Sequence, residues 1–568
     1  MLTTRLEALV ALALVAYAIA MFLQPLQFLT RFSVMPFPPE QGRFALFGLA
    51  AGFVGLALAL VVRPRQNAMW WALFAAISIT AFVLQTFQLS DWWIDDAGIT
   101  FAYSRSLSDG DGLTFQPWHP AEEGYSSTLW MLALASAASL GFDIPLAAKT
   151  LGIACGSLSI IAAVLAIKYR TNDLLSAAVA LAVVTTTPFI VWSASGQEHA
   201  LQALLLLLAA LCLGHPVFHR LGIFWLTTLV LVRPEAPLIV AACFVASLVI
   251  SHRQGRGMDL LRNLPIAVIP FIAFLGLMIF RVVYFGDPLP NPFYAKASGS
   301  GSLGLLNPFG GGWSYVFAFL SSSLVAIVVP FLLQPKDKGK QQPTSYLVAV
   351  LVGHLLFVVW ANGDWMGQYR FIMPVLPILA ILVASGFAAR VPSVGASLVA
   401  LITFLILSVN TVFALNEFKA NPTTPLSVVA TIGREFRDVG NRLGVEDPLL
   451  AHHDAGAIAY ERSVRLVDLG GLVDREIAKN MKDAGFLEDY VLNQREPDFI
   501  FGAHNFAARS GFLETGTFEQ LYVPIEFRGK PYMVSTYSHI RRDRVAEVPG
   551  LEIRRDASGA VIRVVVED

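Results

Sequence analysis

Hydrophobic runs long enough, or nearly long enough, to cross a bilayer fill the first three quarters of the chain. They lie near 6–24, 44–62, 70–88, 149–167, 174–192, 199–213, 220–233, 236–251, 264–284, 314–333, 345–361, 371–388 and 395–415. A span needs roughly 20 apolar residues, so the pattern predicts about 13 transmembrane helices. A weaker run at 127–141 follows a polar loop and carries Trp130 near its start; it reads as a helix lying in the interface. Beyond residue 415 the pattern changes. Residues 427–443 are amphipathic at helical spacing, and short apolar runs at 448–452, 464–468, 498–502, 520–524 and 532–537 read as strands. The expected organisation is a mostly α polytopic membrane domain at 1–415, with an outer loop at 89–148, and a soluble α/β domain at 416–568. Asn421-Pro422-Thr423-Thr424-Pro425 is the expected linker.

Composition sharpens this division. Mean hydropathy is +0.61, yet the last 153 residues hold 43 of the 81 Asp, Glu, Lys and Arg. Charge density is thus about three times higher after residue 415, and that segment is large enough to bury its own core. A net charge of −1 implies no nucleic-acid partner. Cys155, Cys212 and Cys243 all fall in apolar runs, so no disulfide framework is expected. Arg5 followed by a long apolar run, without a small-residue cleavage site, reads as a retained span.

Positive charge sets the expected orientation. With a cytoplasmic N-terminus, 13 Lys and Arg of the membrane domain fall inside and 7 outside, Arg281 lying within a span. An odd number of spans then places the C-terminal domain outside. Of the membrane domain's 17 acids, 13 fall on that outer face. The expected location is a multi-pass inner (plasma) membrane protein with an extracytoplasmic C-terminal domain.

The outer loop carries the richest chemistry. Asp95 and Asp96 follow Trp92-Trp93-Ile94 just past an apolar run, where carboxylates are costly unless used. Neighbours on a helix point about 100° apart. One acid is expected to face a reacting centre while the other orients it, binds a hydroxyl or holds a metal. A carboxylate there can take a proton from an acceptor hydroxyl as a leaving group departs; acids decorating a helix N-terminus are the structural alternative. Asp109-Gly110-Asp111-Gly112 lacks the later ligands of a calcium loop and reads as a turn. Other outer segments add Glu123 and Tyr125, Glu198, Tyr294, Asp364 and Trp365 as sugar- or acceptor-binding candidates. Arg233, Lys296 and Arg370 are candidates for a lipid-linked phosphate, although Arg233 with Glu235 also reads as a structural ion pair. Asp95, Asp96 and Glu198 offer hard oxygen ligands for a divalent metal, but no spacing demands one.

These segments resemble the C-type polytopic glycosyltransferases. The resemblance rests on Asp95-Asp96-Ala97-Gly98-Ile99-Thr100-Phe101-Ala102-Tyr103-Ser104-Arg105, then Gly110-Asp111-Gly112-Leu113 and Glu123-Gly124-Tyr125-Ser126-Ser127-Thr128-Leu129-Trp130. Gly196-Gln197-Glu198, Arg233-Pro234-Glu235-Ala236, the stretch from Gly286 to Lys296 and that from Gly363 to Phe371 follow in matching order, as do His453-Asp454-Ala455-Gly456 and Leu466 to Asp474. The greatest similarity is to the mycobacterial-type terminal arabinofuranosyltransferases, from about residue 90 onward; the first two spans match nothing.

The resemblance implies a lipid-linked sugar donor, decaprenyl-phosphate D-arabinofuranose, and transfer outside the membrane to the end of a cell-wall arabinan (arabinogalactan or lipoarabinomannan). Asp95 or Asp96 is then the catalytic carboxylate, with Asp95 preferred. His199 departs from the usual residue after the Gly-x-Glu turn, which puts that turn's role in doubt. The bilayer, the donor and a glycan acceptor are the expected partners. Transfer of another sugar or to a protein acceptor is the alternative within the class. A transporter is the alternative outside it, disfavoured by the absence of an evident inverted repeat and by acids gathered at one face.

Overall fold

A computed structural model describes residues 42–62, 67–256, 258–297, 311–332, 341–391, 393–502, 511, 513, 515–530, 533 and 537–567. They form two compact units. One comprises residues up to Asp91, Ala148–Leu275 and Ser302–Thr423; the other comprises Trp92–Ala147, Gly276–Gly301 and Thr424–Asp568.

The first unit is helical. Among the described residues, six helices, all of them wholly or mostly in this unit, are long and apolar enough to cross a membrane: Ala68–Leu89, Ile144–Thr171, Ala236–Arg253, Leu260–Phe285, Met373–Arg390 and Gly395–Ala420. Two bent pairs raise the count to eight if each is one span. Leu174–Val184 and Thr187–Ala194 meet at 60°, and Gly311–Ser322 and Val325–Leu332 at 104°. The expected thirteen is therefore not reached among these residues; the run at 6–24 lies outside them. The expected spans 199–213 and 220–233 are helices of 15 and 12 residues, His199–Leu213 and His219–Val230. At 1.5 Å per residue each falls well short of the ~30 Å hydrocarbon core. The run at 127–141 is the 12-residue helix Thr128–Ser139, too short to cross, as expected. Burial separates the helices: Leu376–Arg390 is buried along nearly its whole length, whereas Leu261, Phe271 and Ile272 are exposed. Apolar surface of that kind suits lipid better than water.

The second unit joins the outer loop to the C-terminal domain. A seven-stranded sheet is made of β1 (Leu449–His452), β2 (Arg465–Asp468), β3 (Phe499–Phe501), β4 (Tyr522–Phe527), β5 (Ser538–Arg541), β6 (Leu551–Arg555) and β7 (Val561–Val566). Their order is β2-β1-β3-β5-β4-β7-β6. β1 pairs in parallel with β2 and β3, and β4 with β7; the other pairs are antiparallel. Alternate residues serve opposite layers. Leu450, Phe499 and Phe501 share one core with the helix Leu426–Arg442, whose Phe436 ring lies 5.2 Å from Phe499 and 5.3 Å from Phe527. Leu449, Ala451 and Ile500 share the other with Ile477, Tyr490 and Phe518. The first core also takes Ile99, Tyr103, Phe115 and Tyr125 from the outer loop. The composition break near 416 is thus not the structural boundary: the last long helix runs to Ala420, and the units divide between Thr423 and Thr424, inside the expected linker.

β1 to β4 fall on four of the expected strand runs. β6 and β7 were not foreseen; Leu-Glu-Ile-Arg-Arg of β6 is too charged to read as a strand without its partner, whereas Val-Ile-Arg-Val-Val-Val of β7 carried a β-branched signal that was overlooked. Residues 532–537 lie mostly outside the described residues, and the strand there begins at Ser538.

Two buried histidines make this unit acid-sensitive. Burial pushes His119 and His539 down to about 4. As pH falls below 6.5, the unfolded chain takes up protons that the folded chain refuses until about pH 4, so this stabilisation is lost on acidification. The cost is about 1.4 kcal/mol per pH unit for each histidine in that window. Thermal unfolding at pH 7 and pH 5 should show a smaller difference for His119→Gln than for wild type; an unchanged difference would contradict a neutral, buried His119.

Candidate functional site

The two acids open the helix Asp95–Asp109, whose first turn has no side-chain cap and whose C-cap is Gly110 in the left-handed region at φ 89°. The start is fixed by chain from the far end of the sequence. The Asp95 N–H donates to the Thr424 carbonyl at 2.9 Å, the Leu426 N–H donates to the Trp93 carbonyl at 2.9 Å, and Ile94 bridges antiparallel to Pro425. The linker thus acts as a short strand beside the acidic loop.

Asp95 and Asp96 differ sharply. Asp95 is 2% exposed, and its two carboxylate oxygens accept the N–H groups of Gly456 at 3.0 Å and Ala457 at 2.8 Å. Those groups open the helix Gly456–Glu461, so Asp95 caps a helix 361 residues away. Burial pushes its carboxyl up, and Asp454 and Asp96 push it further, against the two N–H bonds. Asp96 is only half-buried. The geometry therefore gives Asp95 an internal partner and leaves Asp96 the more accessible acid; it does not favour Asp95 as the group that meets substrate.

Close approach makes this contact. A Cβ on Gly98 would stand 2.5 Å from the Gly456 carbonyl carbon, and one on Gly456 would overlap the Asp95 carbonyl. The Asp-Ala-Gly of the outer loop therefore meets the Asp-Ala-Gly of the C-terminal domain. Both segments were visible in the sequence. Their pairing was not, although the repeated tripeptide was a signal.

Other candidates in this unit are structural in their contacts. Glu123, 2% exposed, forms a two-bond ion pair with Arg281 at 2.7 and 3.1 Å. Arg281 was the unexplained charge in an apolar run, and an isolated charge there demands a partner. Tyr125 is 1% exposed and packs edge-on against Tyr103 at 5.0 Å. The Tyr103 hydroxyl donates to the Glu122 carbonyl and accepts from the Gly124 N–H, pinning the turn. Glu122, Asp287 and Tyr294 are drawn to residues that the sequence did not single out: Glu122 accepts from the Arg475 N–H, and Asp287 pairs with Lys479 and accepts from the Tyr294 hydroxyl. Lys296 is exposed on the helix Asn291–Ala297.

In the first unit, Glu198, Arg233 and Glu235 are all buried together. Arg233 donates to Glu198 at 2.7 Å and to Glu235 at 3.0 and 3.2 Å, and Gln202 also donates to Glu235. The ion pair expected of Arg233 and Glu235 is formed, and Glu198 joins it. This charge pairing opposes a metal at Glu198, whose carboxylate is held by the guanidinium. Arg370 makes a two-bond pair with Asp364 at 2.6 and 2.9 Å and lies 5.7 Å over the Trp192 ring. Trp365 is 69% exposed. The loop that carries them is conformationally strained: Asn362, Gln368 and Tyr369 are non-glycine residues with φ of 61°, 58° and 47°. Strain of this kind gathers at functional sites.

Comparison with known proteins bears on the fold. Residues 431–546 match a family described as a domain of unknown function (DUF8728). No curated protein matches. Among solved structures, the chain is similar to ArnT from Cupriavidus metallidurans bound to undecaprenyl phosphate, at TM-score 0.50 and 14% identity, covering 78% of this chain and 94% of that one. It is also similar to the Archaeoglobus fulgidus oligosaccharyltransferase tethered with an acceptor peptide containing the NVT sequon, at TM-score 0.46 and 12% identity, covering 81% and 72%. The likeness to ArnT is one of fold: a helical body with a small C-terminal sheet domain. The apolar helices make the chain a multi-pass membrane protein.

The Gly456 contact is open to direct test. Gly456→Ala forces a methyl group onto backbone and should cost about 1–3 kcal/mol. Asp95→Asn exchanges one acceptor for a donor facing an N–H and should cost a similar amount, about 1–3 kcal/mol. Thermal melts of the purified protein read both; wild-type stability in both variants would show that the contact does not hold the loop.

Proposed function

We propose that the chain is a polyprenyl-phosphate-sugar-dependent glycosyltransferase acting at the extracytoplasmic face of the membrane. Its donor is decaprenyl-phosphate D-arabinofuranose, and its acceptor is the end of a cell-wall arabinan. The observation that carries this reading is the acidic pair: one carboxylate fixed by two N–H groups, its neighbour half-buried at a helix start. The shared fold supports it, since one protein of that fold is bound to undecaprenyl phosphate. The order of motifs supplies the sugar.

In this reading Asp96 is the base and Asp95 positions it. Asp96 takes the proton from the acceptor hydroxyl as that oxygen bonds to the anomeric carbon. The bond from that carbon to the phosphate oxygen breaks, and polyprenyl phosphate leaves with the electron pair. Lys296, exposed, is assigned to the donor phosphate. Arg370 and Arg233 already hold carboxylates, so their charge is spent within those pairs and neither is assigned to the phosphate. Trp365 offers an exposed ring for sugar stacking; Asp364 and Glu198 fix loops of the first unit through their ion pairs, and Glu123, Tyr125 and Tyr294 fix loops of the second.

The test is transfer of radiolabel from decaprenyl-phosphate arabinose to an arabinan acceptor by purified protein, with other polyprenyl-phosphate sugars in parallel. Asp96→Asn should lower kcat by about 100-fold or more, the usual worth of a general base, with little change in melting temperature. Asp95→Asn should lower activity and stability together. Absence of transfer from every donor sinks the enzyme reading. Transfer from another sugar alone sinks the arabinose assignment.

A further inference from the structure

The phosphate that leaves in the proposed reaction carries about two negative charges. Lys296 is one cation, and Arg233 and Arg370 are held by carboxylates. The second unit offers another cation in Arg475, the first residue of the helix Arg475–Asn480. We infer that Arg475 is a binding residue for a phosphate ester, in the space beside Gly286. The inference rests on the donor class assigned above and adds to that site a residue of the C-terminal domain.

Three observations carry this. First, the guanidinium is under-used. Arginine presents five N–H donors in a fork that matches phosphate. Here Nη2 donates to the Phe285 carbonyl at 2.7 Å, while Nε is buried and has no hydrogen-bond partner. A buried donor left alone is costly, and an arrangement that keeps one calls for a reason. The Phe285 contact by itself would make Arg475 a cap on the C-terminal end of the helix Leu260–Phe285, a place that favours cations. That role engages one donor and leaves the rest of the fork idle.

Second, the acids around Arg475 are taken by other groups. Asp287 pairs with Lys479, and Asp474 with Arg495. Glu122 accepts the Arg475 backbone N–H at 2.7 Å and the Asn291 amide at 3.2 Å, not the guanidinium. Burial pushes the Glu122 carboxyl up, against the pull of Arg475, so this acid competes weakly for the cation. A phosphate with two oxygens on the fork would give Arg475 the charged partner that these carboxylates do not.

Third, there is room, and it lies next to the helix of Lys296. Gly286 is left-handed at φ 76°, and a Cβ built there would meet only Arg475 Nη1, at 3.9 Å. The chain then enters the helix Asn291–Ala297, which carries Lys296 and packs against the helix that Arg475 opens. Lys479 lies 5.0 Å over the Tyr294 ring in that contact. The field of Arg475 reaches the same helix: burial and Asp287 push the Tyr294 hydroxyl up to about 12, and Arg475 pulls it the other way. A neutral phenol beside the guanidinium adds no charge that would repel an anion.

The test is equilibrium binding of radiolabelled decaprenyl phosphate to full-length protein in detergent, with inorganic phosphate and phosphatidylglycerol as competitors. Arg475→Gln should weaken binding about 10- to 100-fold, the worth of a charged hydrogen bond. Arg475→Lys keeps the charge and loses the fork, and should bind between wild type and Arg475→Gln. A purely helix-capping role predicts a lower melting temperature with unchanged affinity, and that result overturns the site. If melting curves show that Arg475→Gln does not fold, unchanged affinity in Arg475→Lys overturns it instead. Failure of wild type to bind decaprenyl phosphate overturns it as well. Competition by inorganic phosphate or by phosphatidylglycerol as strong as by unlabelled decaprenyl phosphate would put a free phosphate or a membrane headgroup there, and either overturns the assignment to the donor. No sugar moves in this measurement. Weakened binding in the variant, with no transfer by wild type from any donor, would sink the transferase reading and keep the site; transfer by wild type with undiminished affinity in the variant would sink the site alone.

Discussion

The carboxylate of Asp95 is the point on which the second unit turns. Two N–H groups of a helix start converge on it, although burial and the neighbouring Asp454 and Asp96 still push its carboxyl up. That end of a helix carries partial positive charge and unsatisfied donors. The same contact sets the packing distance, which is why Gly98 and Gly456 carry no side chain. Its consequence for the neighbouring residue is geometric. With Asp95 turned inward and the backbone before it tied to Thr424 and Leu426, the Cα–Cβ direction of Asp96, about 100° further round the helix, is set as well.

Charges elsewhere obey one economy. Glu123 with Arg281, Arg233 with Glu198 and Glu235, and Arg370 with Asp364 are all nearly inaccessible. Burying an ion pair gains little net stability, but removing one member leaves an uncompensated charge that costs several kcal/mol. These pairs are therefore better understood as fixing the shape of loops that a hydrophobic contact would leave slack. The left-handed residues at Gln368 and Tyr369, next to Arg370, are the clearest case.

Much of this was legible in the sequence. Apolar run length located the helices, and the charge-rich tail announced a separate α/β fold. Among the described residues, two of the expected spans, 199–213 and 220–233, are helices of only 15 and 12 residues, ending at Gly214 and Leu231. The site was legible as a list of residues and not as a set of partners. Arg233 and Glu235 are two residues apart, so their pairing was foreseen. Glu123 and Arg281, or Asp95 and Ala457, are separated by 158 and 362 positions; only the folded chain brings them together. The same distance hid the fact that the outer loop shares its core with the C-terminal domain.

That separation also sets a timetable. A ribosome adding about 5–20 residues per second needs roughly 20–70 s to reach Ala457 after making Asp95. Through that interval the acidic loop lacks its capping helix, and for most of it the bridging segment Thr424–Leu426 as well. The buried contact of Asp95 is therefore assembled late, and a chain ended before Gly456 carries the two acids without the helix start that holds the first of them.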